Sequence, residues 1–141
     1  MKTGTVDHLF IKPGHREDMI PVETIHVVKH KGIEGDASFG RSKRQILIIS
    51  HEVIEAYGLM PGDLRENITV SQLEVGVISA KDRLSIGDVV LEVTGDCTPC
   101  DRLEELRVGL MDEIHGNRGI LARVIEAGEI KVGQAISRET E

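Results

Sequence analysis

Apolar residues occur along this chain in short runs that glycine, proline and aspartate separate. Such a pattern is typical of β-strands joined by tight turns. Only two short segments have helical spacing, and they do not alternate regularly with the strands, so a doubly wound sheet is not favoured. We therefore predict a mainly β fold with a few short helices, in the form of a closed or half-closed β-barrel. Strands are predicted at residues 3–11, 25–28, 45–49, 68–70, 89–93, 120–125 and 130–136.

The two helical segments have different signals. The first is predicted to begin after Ser50, because a serine side chain can accept a hydrogen bond from the first turn of a helix. Its apolar face is formed by Val53, Ile54 and Tyr57. The second follows residue 100 and has leucines three and four residues apart, at Leu103, Leu106 and Leu110.

Length and composition limit the classes of function. The 141 residues predict a single domain, 1–141, with a core of about 3–137 and no internal linker or repeat. The formal charge of −7 and the scarcity of aromatic residues argue against nucleic acid and against anionic membranes as partners. No apolar run is long enough to span a membrane, and no signal peptide is evident, so we expect a cytoplasmic protein.

The stretch from 29 to 44 has the opposite charge to the chain as a whole. It is predicted as a long loop, with two acidic residues (Glu34 and Asp36) and five basic residues (Lys29, Lys31, Arg41, Lys43 and Arg44). A local excess of three positive charges in an acidic chain suggests an anion-binding site. The alternative is an ordinary solvated loop, as most charged runs are.

Both cysteines lie in one segment, Cys97 and Cys100, between a predicted strand and the second helix. Pro99 cannot continue a strand, so Cys100 is expected near the helix start, where free N–H groups favour a reactive thiolate. Four interpretations remain open: this single thiolate, a dithiol redox pair, half of a zinc site, or two inert buried thiols.

Two polar positions are candidates for ligand recognition. Asp36 follows Gly35, which permits close backbone approach, and its carboxylate can accept hydrogen bonds from a ligand ring. Asn67 precedes a predicted strand as part of Arg65-Glu66-Asn67. Both segments are also compatible with ordinary turns.

Taken together, these segments resemble the MOSC domain, the molybdenum-cofactor sulfurase C-terminal domain, over almost the whole chain. Each piece is weak alone, and their order and spacing carry the resemblance. The matching pieces are 32–36 (Gly-Ile-Glu-Gly-Asp), 44–50 (Arg-Gln-Ile-Leu-Ile-Ile-Ser), 65–68 (Arg-Glu-Asn-Ile), 84–88 (Leu-Ser-Ile-Gly-Asp), 99–100 (Pro-Cys), 119–124 (Gly-Ile-Leu-Ala-Arg-Val) and 128–133 (Gly-Glu-Ile-Lys-Val-Gly).

The resemblance implies a MOSC-type β-barrel that binds the molybdenum cofactor (molybdopterin) or carries persulfide sulfur for it. Family members act through the cysteine after proline, which is Cys100 here and would also be the molybdenum ligand. The basic loop would hold the cofactor phosphate. Asp36 and Asn67 would form hydrogen bonds with the edge of the pterin ring. The implied cofactor-binding residues are Asp36, Arg41, Lys43, Arg44, Asn67 and Cys100.

Whether the chain is an enzyme stays open at this point. It lacks the N-terminal β-barrel extension of family members that reduce N-hydroxylated substrates. It also lacks the pyridoxal-phosphate desulfurase domain of the cofactor sulfurases, so pyridoxal phosphate is linked to it by family association alone. We therefore expect a sulfurtransferase or molybdenum-dependent activity that needs a cysteine desulfurase or a molybdoenzyme as partner. The alternatives are a non-catalytic module for another anionic metabolite or partner protein, and a C-x-x-C dithiol redox protein.

Overall fold

The structure is a computed structural model that describes residues 3–14, 17–96, 108–110 and 119–139. These ranges contain eleven strands, one α-helix and one short 3-10 helix. The strands are β1 (Thr3–Ile11), β2 (Ile20–Val22), β3 (Thr24–Val28), β4 (Gly32–Ile33), β5 (Ile46–Ser50), β6 (Ile68–Ser71), β7 (Arg83–Ile86), β8 (Val89–Asp96), β9 (Ile120–Glu126), β10 (Gly128–Lys131) and β11 (Ala135–Glu139). The helices are α1 (His51–Ala56) and the 3-10 helix Val75–Val77.

Seven of the described strands close into a barrel, which confirms the predicted fold class. Their order is β11-β7-β8-β9-β5-β6-β1, and β11 pairs with β1 to complete the ring. Strand β2 extends the sheet beyond β1, while β10, β3 and β4 form a separate three-stranded sheet. Because β5 and β6 are parallel neighbours, both begin at one end of the barrel and finish at the other.

The barrel interior is filled by the alternate residues of its strands, as a half-buried strand requires. In β8, for example, Val89, Leu91 and Val93 point into the main apolar cluster while the residues between them are partly exposed. Strand β5 is buried on both faces, as its continuous apolar run predicts. Its outward face packs in a second cluster formed by Leu47, Ile49, Ile54, Leu64 and Leu110.

Helix α1 begins as the sequence predicts. The Ser50 hydroxyl accepts a hydrogen bond from the Val53 N–H at 3.4 Å, which caps the helix. Ile54 is fully buried and packs against the outer face of β5. Among the described residues, no helix is long and apolar enough to cross a membrane.

The C-terminal end of the chain differs from the prediction. The sequence predicts a single last strand at 130–136 and a core that ends at about residue 137, but the chain forms two strands there, β10 and β11. Gly133 has a φ of 96°, a left-handed conformation that lets the chain turn between them. Strand β11 continues to Glu139 because it finds partners on both sides, in β1 and β7.

Three further boundaries also differ. Strand β8 continues beyond the predicted limit at residue 93 to Asp96, paired with β9 through a register shift. Strand β7, which includes Ser85 and Ile86, was not among the predicted strands. Strand β2 was missed because it has three residues and contains Pro21, a weak strand signal.

Candidate functional site

Asp36 lies in a tight turn between β4 and β5 and is only 5% exposed. Its Oδ1 accepts hydrogen bonds from the Lys12 backbone N–H at 2.7 Å and from the Asn67 side-chain amide at 3.0 Å. Its Oδ2 accepts the Ser38 N–H at 2.9 Å. The carboxylate therefore ties the end of β1 to the basic loop, and Oδ2 keeps one further acceptor position.

Asn67 is the partner of Asp36 and stands directly before β6. Besides Asp36, its amide nitrogen donates to the Phe10 carbonyl at 3.3 Å, and its Oδ1 accepts the Leu47 N–H at 3.0 Å. The structure thus brings together the two polar positions that the sequence singled out. Both are buried and already hydrogen-bonded within the protein, so they hold β1, β5 and β6 in register around this point.

Gln45 holds the basic loop from the other side and was not predicted as a site residue. It is 1% exposed, and its side-chain amide donates to the Arg41 carbonyl at 2.7 Å and to the His30 carbonyl at 3.0 Å. Its Oε1 accepts the Val124 N–H at 2.9 Å. The available sequence signal was a polar residue at the start of an otherwise apolar buried strand, since such a residue must find partners.

Four cations lie within electrostatic range of one another around Lys12, which is also near Asp36: Lys12, Arg41, Arg44 and Arg65. We call them the cationic cluster. Burial lowers the pKa of Lys12, which Asp36 opposes, and the nearby Arg65, Arg41 and Arg44 lower this pKa further. Like charges this close repel one another, and a bound anion would relieve the repulsion. Within the described chain, no carboxylate forms an ion pair with Arg41 or Arg44, and both side chains are exposed.

Arg65 and Lys12 are members of the cluster that the sequence did not assign to the site. Arg65 has a φ of 62°, and its guanidinium donates to the carbonyls of Glu17 at 2.7 Å and Gly14 at 3.4 Å. This side chain therefore bridges from the start of β6 to the turn after β1. Its proximity to Lys12 depends on chain pairing between distant segments, which no local pattern reveals.

Glu66, between Arg65 and Asn67, is fully buried and has a structural role. Its Oε2 accepts hydrogen bonds from the Gly62 N–H at 2.8 Å and the Thr69 hydroxyl at 2.9 Å. Its Oε1 has no hydrogen-bond partner among the described residues. The carboxylate fixes the loop that leads into β6, and so it sets the position of the neighbouring Arg65 and Asn67.

Lys43, another basic residue of the loop, connects the loop to strand β8. The Thr94 hydroxyl donates to the Lys43 carbonyl at 2.7 Å, and it also lies 3.2 Å from the Leu121 carbonyl. Thr94 is three residues before Cys97 in the sequence. The predicted residues Cys97 and Cys100, and the helix start predicted there, lie outside the described residues.

Metal ligation by the described residues alone finds no support. In the ranges that the structure covers, no group of three or more His, Cys, Asp or Glu side chains is arranged to hold a metal ion. What the described residues do offer is a patch of positive charge on a rigid hydrogen-bonded frame. Chemically, that arrangement suits a phosphate or carboxylate group.

Comparison with known proteins gives one family and several similar folds. A family model described as MOSC domain matches residues 34–137. The YuaD protein of Bacillus subtilis has a similar fold, with a TM-score of 0.84, 20% identity, and coverage of 95% of this chain and 94% of that one. YiiM from Escherichia coli has a TM-score of 0.79 at 17% identity and covers 100% of this chain and 71% of its own. YiiM from Geobacillus stearothermophilus has a TM-score of 0.77 at 19% identity, covering 97% and 75%. No curated protein matches the chain.

Proposed function

Since the chain belongs to the MOSC domain family, we propose that it binds the molybdenum cofactor through the cationic cluster and acts through Cys100. The observation that carries this proposal is the cationic cluster itself. Lys12 lies near the buried carboxylate of Asp36 and within electrostatic range of Arg41, Arg44 and Arg65, in a protein whose formal charge is −7. A phosphate-bearing cofactor supplies the negative charge that this arrangement needs.

In this proposal the arginines and the lysines have different roles. Arg41 and Arg44 are exposed and offer paired N–H donors, which suit bidentate contact with a phosphate. Lys12, whose side chain is partly buried, adds a single positive charge to the cluster. Lys43 contributes through its backbone, which holds the basic loop against β8. The exposed side chain of Lys43 adds positive charge at the rim.

Asp36 and Asn67 can serve the ring of the cofactor as acceptors. After the internal hydrogen bonds, one acceptor position remains on Asp36 Oδ2 and one on Asn67 Oδ1. A pterin ring carries N–H groups that match such acceptors. Because both residues are 5% exposed, their main contribution is to fix the cluster around the ligand.

Cys100 supplies the soft sulfur ligand in this proposal. A thiolate suits a metal or a sulfane sulfur atom, and molybdenum supplies redox chemistry when the cofactor is bound. Thr94, whose hydroxyl donates to the Lys43 carbonyl, is six residues before Cys100. A chain of six residues spans at most about 20 Å, which limits the distance between the loop and this thiol.

Sulfur carriage would proceed without net oxidation or reduction. The Cys100 thiolate attacks the outer sulfur of a donor persulfide, a new S–S bond forms, and the donor leaves as a thiolate. A cysteine desulfurase fits the role of donor, and a molybdoenzyme or its cofactor fits the role of acceptor. We place the protein in the cytoplasm, where thiols stay reduced.

The proposal is tested by expressing the chain in a cofactor-producing host and measuring molybdenum, pterin and cyanolysable sulfur per chain. We expect one or more of these in the wild-type protein and a loss of bound metal or sulfur in Cys100→Ala. The matched control is Cys97→Ser, which should keep them. Absence of all three from the wild-type chain would remove the support for this function.

The same variants separate the alternatives. A binding module for another anionic metabolite keeps its ligand in Cys100→Ala, because the cationic cluster is intact. A dithiol redox protein needs both thiols, so Cys97→Ser would then abolish its activity. In the proposed function, Cys97→Ser leaves the activity unchanged.

A further inference from the structure

A groove lies at the far ends of β5 and β6, away from the cationic cluster. It is open to solvent and has a volume of about 510 Å³, which is within the range of small-molecule sites. Its walls are mainly apolar, and Val77 is 52% exposed at the edge. The groove is lined by Ser50, Glu52, Val53, Gln72, Leu73, Glu74, Val75, Gly76 and Val77.

One carboxylate is fixed at the edge of this groove. Glu52 Oε1 accepts the Ser50 hydroxyl at 3.2 Å, and Oε2 accepts the Gln72 N–H at 3.1 Å. Partial burial acts to raise the pKa of Glu52, but these hydrogen bonds outweigh it and lower the pKa below its ordinary value. The groove therefore presents a permanent negative charge beside an apolar wall at neutral pH.

A smaller cavity of about 60 Å³ adjoins the groove and shares Ser50, Val53, Val75 and Gly76 with it. Asp96 lines this cavity, while Glu52 and Glu74 line the groove. Gly119 forms part of the cavity wall with a φ of 122°, and any side chain there would collide with the Ile48 carbonyl. The walls of the groove are mainly apolar, whereas those of the smaller cavity are mainly polar.

We propose that this groove binds a small organic cation that has an aliphatic body. Its aliphatic part would pack on Val53, Val75 and Val77, and its ammonium or guanidinium group would pair with Glu52. Charge complementarity selects this class, because an anion of the same shape would face the fixed carboxylate. The proposal assigns no role to Cys100 or to the cationic cluster, and its test is measured on the chain without cofactor.

The test uses three probes of equal chain length, n-hexylammonium, 1-hexanol and hexanoate, titrated into the full ¹⁵N-labelled chain. The Gln72 amide is a direct reporter, because its N–H is bonded to Glu52. We expect n-hexylammonium to shift the amides of Gln72, Val75 and Gly76, and to bind more tightly than 1-hexanol. Hexanoate should leave these amides unshifted.

Two variants and one control separate the contribution of the charge to probe binding from that of the apolar wall. Glu52→Gln keeps an acceptor for the Gln72 N–H and should weaken n-hexylammonium by roughly five- to tenfold without affecting 1-hexanol. Val77→Ser, at an exposed position, should weaken both probes by about threefold. Glu126→Gln makes the same charge change at the opposite end of β9 and should have no effect.

Three results would overturn the proposal. They are hexanoate binding at these amides as strongly as n-hexylammonium, equal effects of Glu52→Gln and Glu126→Gln, or n-hexylammonium shifts confined to other parts of the chain. Each of these results is measured on the chain without cofactor. Failure here is thus distinct from failure of the proposed function, which is measured by metal, pterin and sulfur content.

Discussion

Strands β5 and β6 run parallel, and the two ends of this pair differ in charge and in construction. Where the strands begin, buried polar side chains form a closed hydrogen-bond network that holds exposed cations around it. Where the strands end, an apolar groove is bordered by the fixed carboxylate of Glu52. About 16 Å of strand separates Asn67 at one end from Gln72 at the other.

This difference shows that the total charge of the chain is a poor guide to its ligands. The formal charge of −7 argues against anionic partners, yet the cationic cluster is well suited to one. Positive and negative charges are concentrated at different places in the fold, so each end of the strand pair favours ligands of a different charge. Four changes test the contrast between the two ends.

Asn67→Ala should have the largest effect, because it breaks the frame of the cationic end. It leaves the Leu47 N–H and the Phe10 carbonyl unpaired in a buried place. We expect the free energy of unfolding to fall by on the order of 2–4 kcal/mol in urea titrations. Glu52→Gln at the exposed groove end should cost well under half as much. Equal losses would show that the two ends do not differ in construction.

Arg44→Glu should have the second largest effect. We expect it to weaken ligand binding without disturbing the fold. Reversal of this charge should weaken phosphate binding by on the order of 1.5–3 kcal/mol, measured by calorimetry at low salt. Lys81→Glu is the matched control, since it reverses a charge at an exposed position on a different loop. If both variants bind phosphate like the wild type, the basic side chains are merely solvated.

Thr94→Val should loosen the basic loop from β8. The variant removes the hydroxyl that donates to the Lys43 carbonyl, at a cost of about 1 kcal/mol. Hydrogen exchange of the loop amides should become faster, while Thr94→Ser, which keeps the hydroxyl, should resemble the wild type. Unchanged exchange in Thr94→Val would mean that the hydrogen bonds of Gln45 and Asp36 are enough to hold the loop.

The smallest effect is a dependence of stability on alkaline pH that arises from Lys12. Because its pKa in the folded protein lies below 10.5, the folded state binds fewer protons than the unfolded state between these two values. Charged Lys12 therefore costs stability at neutral pH, and this cost is relieved as the pH rises through the lowered pKa. The free energy of unfolding of the wild type should rise relative to that of Lys12→Met in this window. A parallel pH dependence in the two proteins would contradict the lowered pKa.

The sequence was sufficient to predict the barrel class, because alternation and turn residues are local signals. The limits of β1 and the cap at Ser50 were predicted for the same reason. The division into β10 and β11 was not, since β11 depends on pairing with β1 at the other end of the chain, and its extension to Glu139 depends on pairing with β7.

The candidate site also combines residues that have local sequence signals with residues whose roles depend on long-range contacts. Asp36 and Asn67 were selected from separate segments, and the structure places them within one hydrogen bond of each other. Lys12, Gln45 and Arg65 were not assigned, because their roles depend on contacts between segments that are distant in the sequence, such as those that span 15, 51 and 79 residues. The predicted roles of Cys100 and of the basic residues in cofactor binding stay predictions.

The most direct test of the account is the cofactor content of three purified proteins from a cofactor-producing host: wild type, Arg44→Glu and Glu52→Gln. Molybdenum and pterin per chain are measured together. We predict that the wild type and Glu52→Gln carry both at similar levels, while Arg44→Glu carries much less. Equal content in Arg44→Glu and the wild type, or a loss confined to Glu52→Gln, would contradict the assignment of the cofactor to the cationic end.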